Sequence, residues 1–223
     1  MSVYSGFEPE PRTKVRMKIR IWGLDSKGQP FSEHVWTTHI GPERARLEGV
    51  AAMLKPGEVI GVANGEKKSR FRVLSMGNAG QPDQGLVEME MVAGAVDDFW
   101  GVELQRPAPA TLRSERRSSP RYRCAGFVSM QQLGQNYKVR APVSDIALNG
   151  CYVELAMPFP KGTKFHISVT IGSVLVQCNA ATVSSHPGVG MGVRFESTGM
   201  VGKQDLERLL QRLERDVGPR FIR

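Results

Sequence analysis

Six arginines, Arg106, Arg113, Arg116, Arg117, Arg121 and Arg123, fall within eighteen residues, and Glu115 alone opposes them. A guanidinium grips phosphate through parallel N–H donors, reaches the O6 and N7 acceptors of guanine, and stacks on π faces. An arm of this kind can clamp a phosphate-bearing purine. Further on, the segment SDIALNG (144–150) supplies Asp145 and Gly150. A carboxylate accepts hydrogen bonds from the N1–H and 2-amino donors of guanine, and a glycine allows a tight turn or a close backbone approach. Each feature is weak alone: arginine-rich stretches are usually solvated linkers, and D-x-x-x-x-G is common in turns. The signal lies in their combination, in this order.

Other chemistries find no support. His34, His39, His166 and His186 lack zinc-binding spacing, and there is no GxSxG elbow, phosphate-binding Walker loop or HExxH. The run Gly188-Val189-Gly190-Met191-Gly192 leads into a strand-like VRF, where a dinucleotide fingerprint needs a helix. Trp22, Trp36 and Trp100 read as core or rim aromatics. Cys124, Cys151 and Cys178 read as small buried hydrophobes in apolar strands. No catalytic residue, metal ligand or cofactor is expected, and the chain is not read as an enzyme.

The composition bounds the partners. Of 223 residues, 30 are Lys or Arg and 22 Asp or Glu, a formal charge of +8. Residues 1–105 carry 13 basic and 14 acidic side chains, and residues 106–223 carry 17 and 8. The basic excess therefore lies wholly in the second half, and an anionic partner is to be sought there. Three cysteines without CxxC spacing argue against a disulfide framework and fit a reducing compartment. The amino terminus lacks the apolar core of a secretory signal, and no run reaches the ~18 apolar residues of a membrane span. A cytoplasmic protein without membrane insertion is expected.

The elements that would position the arginines are strands. The first half holds short β-like runs at 17–24, 34–40, 58–63, 70–76 and 86–92. The second half repeats the rhythm at 122–130, 137–146, 151–155, 164–171, 174–183 and 191–195. Asn64-Gly65 is a hairpin dipeptide in a connection read as longer than two residues, and Gly172-Ser173 suits a hairpin turn. Strands at this spacing without helical patterns between them suggest small barrels or sandwiches. One helix is expected near the end, with Leu206, Leu209, Leu210, Leu213 and Val217 on a single face.

The two halves share landmarks, as an internal repeat would. Arg12-x-x-x-Arg16 echoes Arg117-x-x-x-Arg121; Ile40 and Ile146 follow 24 and 25 residues after Arg16 and Arg121. Pro56-Gly57 and Lys161-Gly162 come at similar distances, and Gly85 and Gly190 lie 45 and 44 residues beyond the isoleucines. The expected organisation is a first barrel over 1–104 and a linker with the arginine-rich arm over 105–120. A second barrel follows over 113–200, then a helix over 201–217.

The segments ERRSSPR (115–121), SDIALNG (144–150) and GMGVRF (190–195) resemble the PilZ domain, a bacterial receptor module for the second messenger cyclic di-GMP. The family pattern is an RxxxR arm followed by D/NxSxxG on a six-stranded barrel, and the resemblance covers about 113–198. Arg117 and Arg121 match the arm; Asp145 and Gly150 match the ends of the second motif. Ala147 stands where the family has serine, and Arg116, directly before the motif, joins the ligand contacts. The resemblance implies an all-β chain of two small six-stranded PilZ-like β-barrels in tandem with a C-terminal amphipathic helix. The first barrel is a degenerate copy, because His39, Gly41 and Arg44 replace the acidic, serine and glycine positions of the motif. It is expected to bind no nucleotide, and the site to be complete within the second half.

The leading expectation is a non-enzymatic cyclic di-GMP receptor with Arg116, Arg117, Arg121, Asp145, Ala147 and Gly150 at the nucleotide. The alternative is a PilZ-like interaction scaffold that no longer binds nucleotide. A DNA-binding reading is weakest, since the strands lack interleaved surface aromatics; no DNA is expected. A protein partner of unspecified identity belongs to either leading reading, and homodimerisation stays open.

Overall fold

The computed structural model describes residues 12–92, 99–104, 119–198 and 200–217. Its first half contains β1 (Thr13–Lys14), β2 (Lys18–Leu24), β3 (Pro30–Ile40), β4 (Arg44–Glu48), β5 (Val59–Asn64), β6 (Lys67–Met76) and β7 (Val87–Met91). Strands β3, β2, β5, β6, β7 and β4 follow one another around an antiparallel sheet, and the β3–β4 pairing closes it into a barrel. The short β1 adds to β3 outside the ring. The second half holds β8 (Arg121–Gln132), β9 (Val139–Ala147), β10 (Gly150–Val153), β11 (Lys164–Ile171), β12 (Val174–His186) and β13 (Gly190–Thr198). These close as β10-β13-β12-β11-β8-β9. Taken in chain order, β2 to β7 and β8 to β13 have the same neighbours at every step, so the halves share one topology.

Period-two alternation builds both cores. In β2, Ile19 and Ile21 are buried while Lys18 and Arg20 are exposed; in β11, Phe165, Ile167, Val169 and Ile171 point inward. The first core is completed by Phe99 and Trp100, whose rings pack with Phe71. Trp100 Nε1 donates to the Gly41 carbonyl at 3.1 Å, and Asn64 Nδ2 donates to the carbonyls of Phe99 and Trp100. Trp22 and Trp36 lie at the rim beneath Arg20 and Arg16. Cys151 is fully buried, whereas Cys124 and Cys178 are half-buried. Burial pushes the thiols of Cys124 and Cys178 up to about 12 and about 11 and raises that of Cys151 as well.

Several sequence expectations need correction. Strand β4, sequence RARLE, lies in a segment read as an eroded motif, yet Ala45 and Leu47 are buried in the first core. The Asn64-Gly65 connection is a two-residue hairpin after all: Asn64 pairs with Lys67, and Gly65 adopts φ +59°. Gly172-Ser173 likewise joins paired Ile171 and Val174. The repeat is also registered differently. Thr13 pairs with Ile40 as Tyr122 pairs with Ile146, which puts Arg12, not Arg16, at the place of Arg121. Arg12 there binds Glu88 at 3.1 Å, and Arg46 contacts the same carboxylate. Arg16 pairs with Glu48 at 3.2 Å.

The single helix among the described residues, α1 (Met200–Val217), packs on β12, β8 and β13. Leu206 and Leu209 are buried in the second core, and Leu210 and Leu213 pack against it; the Val217 side chain lies outside the described residues. The helix is thus part of the second barrel's hydrophobic structure. Replacing Leu206 with Ala removes a wholly buried side chain and is expected to cost about 2–5 kcal/mol. Chemical denaturation of the full chain checks this; a loss below about 1 kcal/mol would mean the helix is dispensable.

Candidate functional site

Asp145 sits near the end of β9, and a bulge decides which way it points. Val143 pairs with Val153 across β10, but Asp145 pairs with Tyr152, leaving Ser144 as an extra residue on β9. The insertion resets the alternation of the strand. Val143 and Ile146 enter the core, while Asp145 turns outward towards the first barrel. On β8, Arg121 lies opposite Ala147 and Arg123 opposite Asp145. Arg121 reaches diagonally, its Nη1 donating to Asp145 Oδ1 at 2.8 Å.

The other oxygen is held from the first barrel. Arg70 of β6 donates from Nη2 to Asp145 Oδ2 at 3.0 Å and from Nη1 to Ser144 Oγ at 3.3 Å. Its guanidinium lies 3.4 Å from the centre of the Tyr152 ring. Ser144 Oγ donates to Oδ2 as well, at 3.2 Å. The Asp145 side chain is only 10% exposed and that of Arg70 only 12%. Burial alone would raise the Asp145 pKa, but the two guanidinium groups outweigh it and hold the carboxyl below its ordinary value.

The barrels also touch around this pair. Arg123 donates from Nη2 to the Lys68 carbonyl. The turn at Gly188 lies against the Gly23–Leu24 backbone, where a Cβ would stand 2.6 Å from the Gly23 carbonyl carbon. The Tyr152 hydroxyl and His186 Nδ1 are 3.0 Å apart, and their rings are nearly parallel. Burial first, then Arg70 and Arg72, lowers the His186 pKa from its ordinary 6.5.

The residues singled out from sequence divide into three groups. Arg121 and Asp145 come together as an ion pair. Gly150 is buried for packing: a Cβ there would stand 2.1 Å from the Val193 carbonyl oxygen, so the barrel wall admits only glycine. Ala147, also buried, lies two residues beyond Asp145 on β9. Arg116 and Arg117, with the arm over 105–118, lie outside the described residues. Sequence reasoning missed Arg70, Ser144, Tyr152 and His186. Arg70 is one of four cations in KKSRFR, and nothing in that spacing distinguishes it. Among the described residues no three His, Cys, Asp or Glu gather as metal ligands, and no helix is long and apolar enough to cross a membrane.

The lowered His186 pKa sets a pH dependence. A histidine that titrates lower when folded contributes stability above its unfolded value near 6.5. That contribution is lost as the pH falls. Asp145 acts in the same direction further down, from about pH 4, where the unfolded carboxyl begins to take up protons. Stability measured with denaturant is therefore expected to decline between pH 7 and 5, and His186→Gln to flatten this decline. An equal decline in the variant would remove His186 as its source.

Residues 115–212 match the family model described as PilZ domain, and no curated protein matches the chain. Among solved structures, the chain is similar to YcgR in complex with c-di-GMP from Escherichia coli, with 16% identity, 90% of this chain, 84% of that chain and a TM-score of 0.43. It is also similar to the Bacillus subtilis inhibitor of motility MotI/DgrA, with 12% identity, coverage of 93% and 99%, and a TM-score of 0.40. The K. pneumonia MrkH–c-di-GMP complex gives 12% identity, coverage of 91% and 89%, and a TM-score of 0.45. The matched residues, 115–212, take in the closed six-stranded second barrel with its D-x-x-x-x-G spacing, and this part of the chain belongs to the PilZ domain family.

Proposed function

We propose that this protein is a non-enzymatic receptor for cyclic di-GMP, acting as an effector that passes the signal to a protein partner. The observation that carries the reading is the Arg121–Asp145 pair on the outer face of the PilZ barrel, at the family's motif spacing. A guanidinium suits the phosphates or the guanine O6 and N7 edge, and a carboxylate suits the guanine N1–H and 2-amino donors. Arg116 and Arg117 complete the clamp from the arm. The first barrel carries no motif carboxylate at His39 and serves in packing or partner contact. The three free cysteines fit a reducing compartment such as the cytoplasm.

A second reading has support of its own. Both Asp145 oxygens are already engaged within the chain, and Ala147 lacks the hydroxyl of the family serine. Both features favour an interaction scaffold that binds no nucleotide.

Calorimetric titration of the full chain with cyclic di-GMP separates the two. Binding is expected, and Arg121→Ala should weaken it by about 1–3 kcal/mol, roughly five- to 150-fold. Unchanged affinity in the variant would remove Arg121 from the site, and no binding by the wild type would leave the scaffold reading. Ala147→Ser is expected to strengthen binding by up to about tenfold, the scale of one neutral hydrogen bond. Weaker binding would place Ala147 against an apolar part of the ligand.

A further inference from the structure

Arg70 presents to the second barrel what a guanine would present. Its guanidinium is planar, donates from Nη2 to Asp145 Oδ2 and from Nη1 to the neighbouring Ser144 Oγ, and sits over the Tyr152 ring 3.4 Å from the centroid. The guanine edge carries two adjacent donors, N1–H and the 2-amino group, that match the two oxygens of one carboxylate. Here Oδ1 is held by Arg121 and Oδ2 by Arg70. With so little of Asp145 exposed, a purine edge cannot reach Oδ2 while Arg70 stays. Arg121 stands on β8, the strand beside β9, whereas Arg70 comes from the other barrel and can withdraw without disturbing β8 or β9.

We propose that Arg70 is an internal mimic of the ligand's guanine, occupying the Asp145–Tyr152 position, and that the nucleotide binds by displacing it. This rests on the receptor reading above. Two further features fit. Tyr152 becomes the stacking surface for the incoming base, its hydroxyl held by His186. Arg70 also leaves towards Glu90 of β7, a carboxylate that already pairs with Arg72 and Arg44 in the first barrel. The affinity of the receptor is then set by a residue of the barrel that carries no motif.

The test is titration of the full chain and of Arg70→Ala and Arg70→Lys with cyclic di-GMP, with melting curves confirming that each is folded. Lysine keeps the charge but loses the flat fork, so it separates mimicry from general attraction of an anion and stands in if the alanine variant does not fold. Both variants are expected to bind more tightly than wild type. Arg70→Ala should gain about tenfold or more, the scale of a hydrogen bond between charged groups. Binding by the variants and none by the wild type would also support the proposal. Wild-type binding with equal or weaker binding in both variants would overturn the mimic and leave the receptor reading standing. No binding by any of the three would overturn both.

Discussion

A carboxylate taken out of water must find cations or hydrogen-bond donors, and Asp145 finds them on both barrels. Removing one partner would leave a buried charge uncompensated, which is far more costly than the net worth of the pair. The surroundings follow from that requirement. The bulge at Ser144 aims the carboxylate outward, β8 brings Arg121 beside it, and β6 delivers Arg70 from the other barrel. The Arg70 guanidinium sits over the Tyr152 ring, and burial with Arg70 and Arg72 disfavours the charged form of His186 in the same enclosure. The contact between the barrels is therefore electrostatic at its centre and closes by backbone approach at Gly23 and Gly188.

The sequence made much of this legible, for identifiable reasons. Strands with strict alternation, such as KIRIWGL and KFHISVTI, declare themselves, and so does the leucine face of α1. The two-copy organisation shows in glycine spacing because Gly57 and Gly162 each stand two residues before a strand that opens the second half of its barrel. Strand β4 escaped because its outward positions are Arg44, Arg46 and Glu48, and its inward ones are only Ala45 and Leu47. Five residues are too few for a period to stand out against a motif reading of the same stretch.

The candidate site was half legible. Arg121 and Asp145 are marked by spacing, and the structure joins them. Gly150 is marked too, and the structure shows what a side chain there would meet, the Val193 carbonyl oxygen. Arg70 could not have been found, since its role depends on how one barrel is set against the other, and no local pattern encodes that. The repeat was read four residues out of register at Arg12, because two arginines in each copy offered a ready alignment while the strand pairing obeys Ile40 and Ile146.

The shared topology has a consequence for folding. Tandem units with identical strand order invite a strand of one to take its counterpart's place in the other, the characteristic misassembly of repeated domains. Divergence between the copies is the guard against this. The first core is closed by Phe99 and Trp100 on Phe71, the second by leucines of α1. The turn from β3 to β4 carries Gly41-Pro42-Glu43, and that from β9 to β10 carries Leu148-Asn149. A swapped strand would bring the wrong turn and fill the wrong core. The loss of the motif in the first copy thus coincides with a gain in pairing fidelity, whatever the second copy binds.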